Sequence, residues 1–328
     1  MARALTTKLM LKYLLACWFV FALGFYSFAQ QIEKTLKCSG AISDVCLGND
    51  KIYVATENAC VDIFSQKDYS LLRKITLPKL VDFFGDSIKP NVYSVNAFSG
   101  KILIVSQGTD GFSDVFLTDG NKKAKLIDSK TKHLTVKKAV FVDGGSVLMG
   151  MLSNEIGLFD IKKQKFDYLT QISPYAFSDF DLSDDKSKVY SSDESGIVHC
   201  LNVSDGKINP DFESVNVDNV YQIDFSSNII VTAGKDRRLG VYEIISKNSF
   251  YLESDFLILS LGLSGDGKTV AFMSGENGQF SLLDIESRSI LFNGKHGDSP
   301  LSAIMFFGEN RLITANEQSM LTIWKLNK

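Results

Sequence analysis

An all-β fold, a closed ring of seven four-stranded units over residues 30–328, is predicted by three features of the sequence. First, a short apolar strand ends at Phe64, Phe116, Phe159, Leu201, Tyr242, Leu283 and Trp324, in steps of 52, 43, 42, 41, 41 and 41 residues. Second, the stretch between these points repeats one pattern of short strands parted by turn residues every 8–12 or so positions, which indicates an all-β chain. Third, the first step alone is long, so it holds an insertion within an otherwise constant period. Four strands in about 41 residues is the signature of a β-propeller blade.

The fifth repeat shows the elements in order. An alternating strand "YQIDFSS" (221–227) is followed by a more apolar one, "IIVTAG" (229–234). A third strand, "LGVYEI" (239–244), and a weaker fourth, "SFYLE" (249–253), complete the period. In the sixth repeat Asp266 and Gly267 supply a tight hairpin between the first two strands. Repeats 1 to 6 each have sequence for a fourth strand after the aligned position; repeat 7 does not. The strands expected there, 311–316 and 320–325, would leave a bare sheet edge, an aggregation hazard. One spare strand precedes repeat 1, "QIEKTLK" (31–37). Pairing it with the third strand of repeat 7 covers that edge and closes the circle.

The residues that carry a family likeness lie mainly in the last repeat. "KHGDSPLSAIMFFGENRLITANEQSMLTIWKL" (295–326) has a histidine before its first strand, His296, and closes on "IW". "TAGKDRRLGVYE" (232–243) adds a turn aspartate, Asp236. The chain resembles the WD40 family, in degenerate form: Trp324 is the one tryptophan at the motif position, and the aspartate after that position survives as Asp160 and Asp284.

Residues 1–29 read as a cleaved signal peptide. Arg3, Lys8 and Lys12 precede the unbroken apolar run 13–28, and Ser27 and Ala29 are small residues at −3 and −1 of a cleavage site after Ala29. Sixteen apolar residues is short for a membrane span. "LLAC" (14–17) imitates a lipidation box, but the apolar run continues past Cys17. Export to the periplasm is therefore expected, with no membrane contact after cleavage and a monomeric ring. Loss of three basic residues takes the balance from 35 basic and 38 acidic to 32 and 38. Nothing there gives a cationic footprint for nucleic acid.

Chemistry-bearing residues are sparse. His199 and Cys200 are adjacent in a third strand and point to opposite faces, so they cannot share a metal ion. His296 occupies the family's structural position, and His133 falls in a solvated loop. Asp181, Asp184, Asp185 and Asp193 read as solvated turn residues of repeat 4, without the convergent spacing of a calcium site. No phosphate loop, nucleophile elbow or metal-spaced histidine pair occurs. Catalytic, metal and cofactor residues are therefore expected to be none.

Among the cysteines left after cleavage, Cys38 precedes the first strand of blade 1 and Cys60 begins its third, on the same face. Cys38–Cys60 is the expected disulfide in an oxidising compartment. Cys46 is expected to face the core. The insertion "LPKLVDFFGDSIKPN" (77–91) and the turn "SQGTDGFSD" (106–114) open onto one face and offer Leu80, Val81, Phe83, Phe84 and Phe112 as a partner-binding set. Exposed apolar loops often mark such a site, although the same residues would serve equally as a small cap folded onto the blade.

The function expected is that of a non-catalytic periplasmic interaction scaffold with a protein partner. The alternative is a propeller enzyme or small-ligand binder using the central channel. Export followed by a single degenerate ring is also similar in build to the L-type accessory proteins of periplasmic nitrate reductase systems. That likeness implies a role in maturation or activity of a redox enzyme, by binding and not by chemistry.

Overall fold

The computed structural model describes residues 30–212, 215–308 and 310–327. The expected leader and its cleavage point lie outside them. A strand β1 (Gln31–Lys37) precedes blade 1, which comprises β2 (Ile42–Gly48), β3 (Lys51–Thr56), β4 (Cys60–Ser65) and β5 (Leu71–Thr76). A two-residue ladder, β6 (Leu80–Val81) with β7 (Ser87–Ile88), stands between blades 1 and 2. Blade 2 holds β8 (Val92–Phe98), β9 (Lys101–Gln107), β10 (Ser113–Thr118) and β11 (Lys123–Ile127), and one helical turn α1 (Ser129–Lys132) leads on. Blade 3 is β12 (Val136–Phe141), β13 (Ser146–Met151), β14 (Glu155–Asp160) and β15 (Lys165–Gln171). Blade 4 is β16 (Phe177–Leu182), β17 (Lys188–Asp193) and β18 (Val198–Asn202). Blade 5 is β19 (Val220–Ser226), β20 (Ile229–Gly234), β21 (Arg238–Glu243) and β22 (Asn248–Glu253). Blade 6 is β23 (Leu261–Leu263), β24 (Thr269–Met273), β25 (Gln279–Asp284) and β26 (Ser289–Lys295). Blade 7 is β27 (Leu301–Phe307), β28 (Arg311–Asn316) and β29 (Met320–Lys325).

The ring closes as the sequence predicts. β1 runs antiparallel to β29, from Gln31 opposite Lys325 to Lys37 opposite Met320. Thr35 and Thr322 share a hydroxyl contact of 3.2 Å, and Arg311 donates to both oxygens of Glu33 at 2.8 and 3.3 Å. Leu36 is buried in an apolar cluster that joins blades 7 and 1.

Among the described residues there are seven such clusters, one at each junction between neighbouring blades. This explains the strand patterns. Second and third strands have a blade on each face and read as continuous apolar runs, as in β3 and β13. Fourth strands meet solvent on one side and alternate, as in β15. Each fully buried Ile52, Phe141 or Phe159 contributes roughly 1.5–3 kcal/mol over an exposed one.

The first strand of each blade lines the central channel, and its outward N–H groups have no strand to pair with. Side chains of the preceding blade satisfy several of them. Val95 N–H donates to Asp44 at 2.8 Å, Phe141 to Asn96 at 3.1 Å and Ile223 to Asp179 at 3.2 Å. Phe225 donates to Asp181 at 3.0 Å, Leu261 to Gln222 at 3.0 Å and Leu263 to Asp224 at 2.7 Å. Between blades 6 and 7 the backbones approach directly: a Cβ on Gly262 would stand 2.6 Å from the Ile304 carbonyl oxygen.

Blade 4 departs from the expected four strands. Its sheet stops at three, with one isolated bridge from Ile208 to Leu201. Pro210 follows directly in "KINPD", and its missing N–H and fixed φ stop a ladder there. Residues 207–212 still lie along β18: Asn209 N–H donates to the Cys200 carbonyl at 2.8 Å and Phe212 N–H to that of Val198 at 3.2 Å.

In blade 7 the family-like residues form a buried chain. Trp324 Nε1–H donates to Thr314 Oγ1 at 2.8 Å, and the two ring nitrogens of His296 meet Thr314 Oγ1 and Thr322 Oγ1, each at 2.9 Å. Burial pushes the His296 pKa down to about 4, so the ring is neutral and joins two strands. A structural role for His296 accords with the sequence reading.

Candidate partner-binding face

The insertion stands clear of the blade. Asp82 shapes it locally: its Oδ1 accepts from the N–H of Phe84 at 3.0 Å and of Asp86 at 2.8 Å, holding a tight turn across the β6–β7 ladder. Phe83 and Phe84 sit at that turn, 96% and 87% exposed, with ring centroids 5.7 Å apart in an edge-on contact. Val81 is 66% exposed. The cap alternative is thus excluded for these three residues; Leu80 and Phe112 are half-buried.

The insertion and the blade 2 turn come together as expected. They enclose a cleft of about 560 Å³ bordered by Leu80, Val81, Phe83 and Ile88 on one side and by Thr109 and Asp110 on the other. Phe112 backs this wall by packing on His133 at 4.9 Å between ring centroids. Lys130 and His133 complete the rim from α1 and its C-terminal cap. Sequence reading did not include these two, since nothing local marks them. The signal was topological: α1 connects a fourth strand to the next first strand, as the insertion does, so both lie on one face.

Two aspartates expected as solvated turn residues are not: Asp193 is buried and Asp181 is half-buried between blades. Asp184 and Asp185 are exposed turn residues. Asp193 accepts from Ser173 Oγ at 2.6 Å, Asn154 Nδ2 at 2.8 Å, Ser195 N–H at 2.8 Å, the Ser195 hydroxyl, and His199 Nε2 at 2.9 Å. Burial disfavours its charge, but these donors outweigh burial and hold Asp193 well below the usual carboxylate range. His199 meets a second carboxylate at Nδ1, Asp211, also at 2.9 Å. Both ring nitrogens face carboxylates, and the two carboxylates outweigh burial and raise its pKa, which favours the doubly protonated imidazolium.

The channel carries charges that the strand patterns partly displayed, in "SDFDL" and "QIDFS". Lys138 Nζ lies 2.7 Å from Asp179. Burial works against its charge, but Asp179, Asp181 and Asp44 together raise its pKa. Burial lifts Asp44 to about 6. Burial, then the proximity of Asp181, raises Asp224 well above the carboxylate range, and burial raises Asp181 also. The two carboxyls compete for one negative charge.

A folded pKa above the unfolded value of about 3.8 means stability that is present below that value and lost as pH climbs through the folded pKa. Asp224→Asn reproduces the protonated state: its oxygen still accepts from Leu263 N–H and its amide donates to Asp181. The expected result is a gain of about 1 kcal/mol or more at pH ~8, shrinking toward zero near pH ~4. Urea melts at the two pH values check it, and an equal loss at both would show that the pair does not share a proton.

The expected Cys38–Cys60 bridge is not formed. All four described cysteines are free thiols. Cys38 is turned into the cluster between blades 7 and 1, while the Cys60 sulfur lies 3.8 Å from Thr76 Oγ1 within the blade 1 sheet. Burial also pushes the Cys38 and Cys46 thiols up to about 12, which suppresses the thiolate that disulfide formation needs. Cys46 is half-buried and accepts from Asn96 Nδ2 at 3.7 Å.

No protein-family model matches the sequence, and no curated protein matches it. In three dimensions the chain is similar to the β-propeller domain of Myceliophteria thermophila Cps50 (Swd1), with a TM-score of 0.74 and 12% identity over 91% of this chain and 100% of that one. It is also similar to the computationally designed Ika8 protein, with a TM-score of 0.67 and 15% identity over 91% of this chain and 100% of that one. At these identities the likeness is one of fold: an all-β, WD40-like ring of seven blades.

Proposed function

We propose that this WD40-like ring is a non-catalytic protein-interaction scaffold, and that its partner docks on the cleft beside the Phe83–Phe84 hairpin. The observation that carries the reading is the near-complete exposure of two adjacent phenylalanines at a cleft edge, on a rigid platform. Leaving large aromatic surface in water is unfavourable unless a partner covers it, and buried aromatic anchors usually dominate interfaces. The channel is a weaker place for a ligand, because its carboxylates already accept the N–H groups that join the blades. A partner among exported redox enzymes, a nitrate reductase for example, belongs to the same proposal and rests on the expected leader and single ring alone, as does periplasmic placement.

Replacing Phe83 and Phe84 together by serine should leave the melting temperature within about 2 °C, since neither side chain is buried. Capture of the partner by the full chain should weaken about tenfold or more. A large loss of stability would mean the pair supports the fold, and unchanged capture would move the site off this face.

A further inference from the structure

We propose that His199 is a proton-controlled latch that holds residues 207–212 over the outer edge of blade 4 and releases them as pH rises. The geometry has three parts. Blade 4 ends at β18, and among the described residues the segment interrupted by Pro210 covers its edge, through Asn209 N–H to Cys200, Phe212 N–H to Val198 and the Leu201–Ile208 bridge. Asp211, in the middle of that segment, is bonded to His199 Nδ1. The other ring nitrogen is fixed to Asp193, which is immobilised by Asn154, Ser173 and Ser195.

The two carboxylates do not compete equally. An imidazolium has two N–H donors and can serve both; a neutral imidazole has one. Asp193 has no exposed surface, whereas the Asp211 side chain is 43% exposed and can turn to solvent. On loss of the proton the remaining N–H stays with Asp193, and Asp211 faces a bare nitrogen lone pair. The charged groups acting on the ring are these two aspartates, and Lys188 of β17 bonds Asn202 at 2.5 Å and Asn209 at 3.4 Å. Lys188 bonds the side chain of Asn209 and Phe212 packs on Tyr190 and Tyr242, so deprotonation loosens the segment by local opening of its backbone bonds between these two anchors. Release bares the backbone groups of Val198 and Cys200, an edge onto which another strand could add.

Hydrogen exchange of the full chain tests the latch. Amide protection of residues 207–212, corrected for the intrinsic pH dependence, should fall about tenfold or more between pH ~6 and pH ~10. The midpoint should match the titration of the His199 ring signal in NMR. Asp211→Asn removes one of the two charges that raise the ring's affinity for its proton, so the midpoint should move to lower pH. His199→Gln keeps a donor for Asp193 only, and the segment should be unprotected at every pH while β19 and β27 remain protected. Protection that stays flat with pH in the parent chain overturns the latch. So does an unmoved midpoint in Asp211→Asn, or the parent pH dependence surviving in His199→Gln.

Discussion

Deleting residues 30–37 is expected to open the ring and cost about 5 kcal/mol or more, lowering the melting temperature by about 10 °C or more. β1 supplies the whole outer ladder of blade 7. Without it the β29 edge from Met320 to Lys325 is unpaired, Leu36 leaves its cluster, and Arg311 loses the Glu33 carboxylate. The exposed pair of Arg311 and Glu33 accounts for little of this; the ladder and Leu36 account for most. Cys38, next along the chain, would also lose its bond to the Ser319 carbonyl. Calorimetry gives the melting shift, and light scattering reports self-association through the bare edge. A chain that melts unchanged and stays monodisperse would rule out closure by β1.

Asp193→Ala is expected to be the most damaging single substitution among those considered, at about 3–5 kcal/mol. It leaves the His199 imidazolium buried with one carboxylate in place of two, and strips the acceptor from Asn154, Ser173 and Ser195. Asp193→Asn should cost less, because one oxygen can still accept. The pH dependence has a defined sign. The folded pKa of Asp193 is depressed, so its contribution is present above the unfolded value of about 3.8 and is lost as pH falls below it. The parent and Asp193→Ala stabilities should therefore converge in acid and stand furthest apart near neutrality. A variant equal to the parent at pH ~7 would show that the network holds nothing together.

Much of the architecture was written in the sequence because a propeller is built from local repeats. Period, strand order and the closing strand depend on alternation, turn residues and the need to cover an edge, and each of these is visible within one blade. β1, β20, β28 and β29 fall on the residues expected. The place of the candidate site was legible for the same reason: an insertion in a constant period stands out, and alternating strand direction decides its face.

What only the tertiary structure decided lies between blades. Whether Phe83 and Phe84 cap the blade or meet water depends on how a loop settles on its neighbours, and periodicity is silent on that. Asp181 and Asp193 look like turn residues in isolation; the first is engaged by Phe225 N–H of the adjoining blade, and Asn154 and Ser173 of a distant stretch bury the second. Cys38 and Cys60 lie near one another along the blade, but packing against blade 7 turns Cys38 inward. Pro210 is in plain view, yet its effect on blade 4 depends on the backbone bonds that Asn209 and Phe212 still make to β18. A repeat specifies the strands within a blade, whereas burial, charge and hydrogen-bond satisfaction across the junctions are set by residues some forty positions apart.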